Sequence, residues 1–256
     1  MKTSTFLTAE WNMLAMANYA VDPALLEDFV PAGAQLDAWQ GTCYLSLVGF
    51  MFQNTRLKGF SVPCHTSFEE VNLRFYVRYN DSGTCKRGVV FIKEIVPRHA
   101  LTLVANRIYG EKYQTMPMKH HWLKTPGRLE VAYSWKKNNR WNQVTVQAHS
   151  SPIPIKDGSE EEFFTEHFWG YTRISPFVTS QYEVQHPRWN IFRVDTYDID
   201  VDFGAVYGDR FSFLSKQSPR SVLLAEGSPV AVKAGTRFFH KVPGTNALQG
   251  GVTAAD

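Results

Sequence analysis

Glu70, Asn72, Arg74 and Tyr76 recur at every second position of FEEVNLRFYVRY, residues 68–79, with Arg78 beyond them. Successive side chains of a strand point to opposite faces, so these residues share one face. The other face carries Val71, Leu73, Phe75, Val77 and Tyr79. A row of carboxyl, amide, guanidinium and phenol could do two kinds of chemistry. The arginine presents a planar fork that matches a carboxylate. The glutamate becomes a general acid or base if burial raises its pKa. The plain alternative is the solvated face of a two-sided sheet. Two features weigh against it. Asn is depleted in strands, and the apolar partner segment RGVVFIKEI, residues 87–95, gives the pair a central place. A central strand with this second face could line a polar cavity, and the solvated face stays open beside it.

A second stretch of interest is ANRIYGEKYQTMPMK, residues 105–119. Pro97 at a helix start, apolar residues at helical spacing and Gly110 at the stop position predict a helix over 97–109. Arg107 closes it, a cation near the negative end of a helix. Lys112 and Tyr113 follow.

Other chemistries find no support. His120 and His121 are adjacent, so a regular element points them apart, and no HExxH-like spacing exists. No Gly-rich phosphate loop and no GxSxG elbow is present. Three cysteines, Cys43, Cys64 and Cys85, form no CxxC and no even framework, which fits a reducing compartment. The net charge of +3 is too small and dispersed for a nucleic-acid surface. The N-terminal stretch is interrupted by Glu10, Trp11 and Asn12, against a signal peptide. No run reaches the roughly 18 apolar residues of a membrane helix. The protein is read as cytoplasmic, without cofactor or metal, and open to oligomerisation.

The elements that must position these residues read as mainly β. The 256 residues include 18 Phe, 11 Tyr and 7 Trp, types that favour strands. Residues 6–19 fit a helix or a strand equally. Asp22-Pro23 opens a helix ended by Pro31 and Gly33. Residues 42–52 read as a strand buried on both faces, and 53–66 as a loop. Residues 68–79 and 87–95 pair as a hairpin, with the turn at Asn80–Gly83. A second hairpin joins 128–135 to 141–148 through KKNNR. The acidic run 157–162 opens a short helix into Phe163 and Phe164. Further strands are expected at 181–186, 191–197 and 229–234, with a helical turn at 201–207. One domain spans 1–244, and 245–256 reads as a flexible tail.

Taken together, FxEVNLRxYV (68–77), GVVFIKEI (88–95), ANRIYG-x-x-Y-x-x-M (105–116), Tyr133-Ser134, FFTEHFWGY (163–171) and His186-Pro-x-Trp189 resemble the YqjF-like family, which is similar in fold to acetoacetate decarboxylase. The resemblance runs over most of residues 10–200. It implies an antiparallel, curved, barrel-like sheet with a few short helices and an internal cavity. In the decarboxylase a lysine forms a Schiff base with a β-keto acid; it is a standard example of an activated lysine. On its Arg-Glu-x-x-Gly-x-Pro-Lys-Lys pattern, Gly110 matches the glycine, Lys112 falls at the proline and Tyr113 at the reactive lysine. Glu70 takes about the place of the acidic pocket residue. A one-residue offset on an extended segment points Lys112 the other way. The resemblance therefore implies a cavity for a small organic acid without Schiff-base chemistry. Glu70 and Tyr113 would be its reactive groups, and Asn72, Arg74, Tyr76 and Arg107 its binding groups. Two alternatives remain: a vestigial cavity with Glu70 and Arg74 as an internal ion pair, and Schiff-base chemistry on Lys112.

Overall fold

The computed structural model describes residues 4–61, 66–98 and 112–240. Thr5–Val21 forms β1, a strand despite the helix-forming Ala, Leu and Met within it. It pairs antiparallel on both sides, with Cys43–Leu57 (β3) and with Ser221–Lys233 (β14). Two ladders of hydrogen bonds override the weak helix propensity. Residues 43–52 of β3 are all buried, as the apolar run predicts. The expected loop beyond them is instead more strand. β3 continues to Leu57 because Arg56 and Leu57 pair with Thr8 and Leu7. Lys58 and Gly59, at φ 49° and 86°, turn the chain into Phe60–Ser61 (β4). Two positive φ values are the signature of a tight hairpin turn.

The expected helix after Asp22 is two single 3₁₀ turns, Pro23–Leu25 and Glu27–Phe29. Asp22 does cap the first, accepting from the Ala24 N–H at 2.9 Å. Seven residues between Pro23 and Pro31 give too few turns to repay helix nucleation. Ala34–Leu36 (β2) follows.

Phe68–Asp81 (β5) and Thr84–Val96 (β6) form the predicted hairpin, closed at Ser82 and Gly83. Tyr113–Thr115 (β7) lies parallel to β6, with Tyr113 beside Glu94. Met118–Thr125 (β8), Arg128–Lys137 (β9) and Arg140–Pro154 (β10) form a meander. Asn138 and Asn139 turn β9 into β10 with positive φ, as the KKNNR signal implies. Glu160–Thr165 (α1) is the acidic-led helix, its Ser159 side chain accepting from the Glu162 N–H. Trp169–Ser175 (β11), Val178–Gln185 (β12), Asn190–Asp200 (β13), the short helix Phe203–Tyr207 (α2), β14 and Thr236–Phe239 (β15) complete the order. Residues 99–109 of the helix expected at 97–109, Arg107 among them, and the tail from 245 lie outside the described residues.

Seven strands close on themselves in the order β12-β11-β6-β5-β3-β1-β14, because Val184 and Gln185 of β12 pair back to Val232 and Ala231 of β14. From β14 the sheet continues as β13-β10-β9-β8 and folds over the outside of this ring. Alternation along β5 therefore serves two cores. Val71, Leu73, Phe75 and Val77 pack with Val131, Tyr133, Trp135, Val144 and Val146 between the ring and its extension. The other face, carrying Phe68 and Tyr76, belongs with Leu14, Met16, Val48 and Phe50 inside the ring. The fold is mainly β, with a curved sheet closed into a barrel.

Candidate functional site

The barrel lumen holds a cavity of about 230 Å³. All seven ring strands contribute to its wall: Trp11 from β1, Phe50 from β3, Glu70 from β5, Glu94 from β6, Trp169 from β11, Tyr182 from β12 and Val232 from β14. The sequence leaves two places for the polar face of β5, solvent or cavity. The fold puts Glu70, Asn72 and Arg74 in the lumen.

Glu70 and Asn72 are buried at 3% and 1% exposure. The Asn72 amide donates to Glu70 Oε1 at 3.0 Å, and the Tyr113 hydroxyl donates to Glu70 Oε2 at 3.2 Å. Burial raises the Glu70 pKa to about 7, and these two hydrogen bonds with the Arg74 charge offset only part of that rise. A carboxyl poised near neutrality can give or take a proton at physiological pH. Glu94 is a second carboxyl in the lumen, 1% exposed and directly across from Asn72.

A register shift explains which side chains of β6 reach the lumen. Leu73 pairs with Lys93, but Arg74 pairs with Phe91, so Ile92 is extra. The bulge resets the alternation. Glu94, Phe91 and Val89 line the cavity, while Val90, Ile92 and Ile95 pack in the outer core. Plain alternation through residues 87–95 puts Val89 and Phe91 on the opposite face from Glu94.

Arg74 is half-buried. Its Nη2 donates to the Phe164 carbonyl at 3.4 Å and lies 3.8 Å from the Met16 sulfur. Its buried Nε has no hydrogen-bond partner, and among the described residues no carboxylate lies within 4.0 Å of it. The internal Glu70–Arg74 ion pair expected of a vestigial cavity is therefore not formed. Asn72 fills the position between them and spends its amide on Glu70.

Tyr76 shares this face but is not part of the cavity wall. Its hydroxyl donates to Ser46 Oγ at 2.7 Å, and Ser46 in turn donates to Asn18 at 2.6 Å. Its ring seats α1, packing on Phe163 and Phe164. Lys112 is exposed, with its ammonium 5.0 Å from the centre of the Phe29 ring, outside the lumen. Lys93 also faces outward, bonding the Val206 carbonyl on α2. Among the described residues no lysine lines the cavity. Residues 112 and 113 point to opposite sides, so the phenol and not the ammonium meets Glu70.

Several wall residues lie in FFTEHFWGY and His186-Pro-x-Trp189, segments that carry the family resemblance but are not read as site residues from the sequence. His167, at 9% exposure, bonds Asp37 Oδ2 through Nε2 at 3.1 Å, and Arg87 Nε bonds the same oxygen at 2.7 Å. A carboxylate only accepts, so Nε2 carries the imidazole proton and Nδ1 is the bare nitrogen. Burial lowers the His167 pKa to about 4 despite Asp37, keeping the ring neutral. Burial alone pushes the Asp37 pKa up, but bonds from His167 and Arg87 and the arginine charge outweigh it and bring the value to about 2. Asp37 and His167 are 130 residues apart. His186 and Trp189 stack at 4.1 Å on the cavity wall. Among the described residues no cluster of three His, Cys, Asp or Glu side chains could hold a metal ion. Nor is any helix there long and apolar enough to cross a membrane.

Comparison with known proteins places this architecture. The chain is 28% identical over 183 residues to the "Uncharacterized protein YqjF" of Bacillus subtilis, covering 70% of this chain and 72% of that one. Among solved structures it is similar to the enduracididine biosynthesis enzyme MppR with HEPES bound, at TM-score 0.65 and 12% identity, covering 93% of this chain and 89% of that one. MppR is also known complexed with pyruvate, at TM-score 0.62 and 14% identity over 93% and 91% of the two chains. The acetoacetate decarboxylase of Legionella pneumophila matches at TM-score 0.61 and 11% identity, covering 93% and 89%. These identities establish the shared acetoacetate decarboxylase-like fold alone. The family model described as "Uncharacterized conserved protein" matches residues 8–229. With its barrel, its lumen and its sequence signature, the chain belongs to the DUF2071 family.

Proposed function

We propose that the lumen binds a small organic acid, with the carboxylate on Arg74, and that any chemistry there proceeds without an imine. The observation that carries this is Arg74: a permanent cation on the cavity wall with a buried, unpartnered Nε and no carboxylate beside it among the described residues. A buried charge left unpaired is costly, and a ligand carboxylate supplies the missing partner. The fold relative complexed with pyruvate supports the ligand class.

Glu70 is the group for proton transfer. Its pKa of about 7 lets it act as acid or base on the bound acid, with Tyr113 steadying the ionised form. Asn72 fixes the carboxyl orientation. Arg107, which the family resemblance adds to the binding groups, belongs to this reading as a second cation for the ligand. The absence of lysine from the described wall supports chemistry without a Schiff base. Affinity for small organic acids, compared between the wild type and Arg74→Gln, tests the reading: weakened binding in the variant supports it and equal binding contradicts it.

A further inference from the structure

The four residues that β5 turns into the lumen grade in polarity along the strand: Phe68, Glu70, Asn72, Arg74. The register extends the apolar end sideways. Phe68 pairs with Phe52 on β3, and Phe52 pairs with Trp11 on β1. The Phe52 and Phe68 rings stack at 4.7 Å and 13°, and Trp11 meets Phe52 edge-on at 5.7 Å. Trp11 also contacts Phe50 at 5.2 Å and Trp189 at 6.4 Å. One end of the cavity is thus a continuous wall of flat rings, and the guanidinium stands at the other, beside Phe91 and Phe164.

This division suits one shape of occupant. A short polar acid would satisfy Arg74 but leave the ring wall facing empty space or water. Aromatic rings instead attract other rings in offset or edge-on contact, beyond the area they bury. Phe68 and Arg74 stand six positions apart on one strand, and both line the same lumen.

We infer that the occupant of the lumen is a carboxylic acid bearing an aromatic ring, with its carboxylate on Arg74 and its ring against Trp11, Phe52 and Phe68. The inference rests on the reading of Arg74 above and adds to it the class of acid. The ring wall sets which acid is preferred, and Arg74 sets that it is an acid.

The test is calorimetric titration of the full chain with 3-phenylpropionate, propionate, 3-cyclohexylpropionate and 3-phenylpropan-1-ol. The wild type is expected to bind 3-phenylpropionate at least about tenfold more tightly than propionate, from burial of the ring. It should also prefer 3-phenylpropionate to the cyclohexyl acid by about threefold, the ring-specific part. Trp11→Leu should erase most of the phenyl preference. Phe52→Leu, a smaller change in the same wall, should do so in part, which guards against a fold defect in the first variant. Equal affinity for 3-phenylpropionate and propionate, or a preference for the cyclohexyl acid, overturns the aromatic subsite and leaves the Arg74 reading standing. The alcohol binding as tightly as the phenyl acid, or no acid binding at all, overturns the Arg74 reading and the inference with it.

Discussion

The hydroxyl of Tyr113 donates to Glu70 across 3.2 Å, so a phenol meets the buried carboxyl. The neighbouring Lys112 turns the other way, to the Phe29 ring. On the proposed reading, this one-residue parity keeps imine formation out of the lumen. Incubation with pyruvate or acetoacetate and borohydride should leave the intact mass unchanged, under conditions that label an acetoacetate decarboxylase. A stable adduct lost in Lys112→Ala would show the parity argument to be wrong. Lys112→Ala itself should change stability by under about 0.5 kcal/mol, as exposed surface substitutions do.

Glu70 gives a pH signature of known sign. Its pKa rises from 4.5 to about 7 on folding. Between those values the folded state holds the proton that the unfolded state has lost. Stability therefore falls as pH rises through this window and levels off above it, by at most about 3 kcal/mol. Glu70→Gln removes the term, so its stability relative to wild type should improve from pH 5 to pH 8. Chemical denaturation at the two pH values measures this. A relative stability that stays constant would mean that Glu70 titrates normally, and one that worsens would mean that folding lowers its pKa.

His167 contributes the opposite slope. Its pKa falls to about 4 on folding, so the unfolded state binds the extra proton between about 4 and 6.5 and stability drops as pH falls through that window. In Glu70→Gln, with the masking term gone, denaturation midpoints should rise with pH from 4 to 6.5. Asp37→Ala leaves the Arg87 charge and the His167 N–H without their shared acceptor. It should cost about 2 kcal/mol in thermal or chemical unfolding, between an exposed and a buried pair, because the Arg87 side chain is 36% exposed. A loss under about 1 kcal/mol would show the three groups to be independently solvated.

Much of this was legible in the sequence, and the failures have physical causes. The strict alternation of residues 68–79 marked β5, and Asn138-Asn139 marked a turn that needs positive φ. The family resemblance supplied the barrel. The face of β5 that lines the lumen was not legible, because alternation separates two faces without saying what covers each. The wall residues of β6 were hidden by the bulge at Ile92, which local pattern does not announce. Tyr76 looked like a ligand group by its spacing, but Ser46 and α1 use its hydroxyl and its ring. The Asp37–His167 contact joins residues 130 positions apart. No motif spans such a distance, and only closure of the barrel brings them together.

The most direct test of the central claim is calorimetric titration of wild type, Arg74→Gln and Lys112→Ala with the small organic acid that binds the wild type most tightly. Truncating one partner of a buried charge pair costs about 2 kcal/mol or more, so Arg74→Gln should weaken binding at least about thirtyfold. Lys112→Ala should bind as the wild type does. Arg74→Gln retaining wild-type affinity, or Lys112→Ala losing it, would contradict the account.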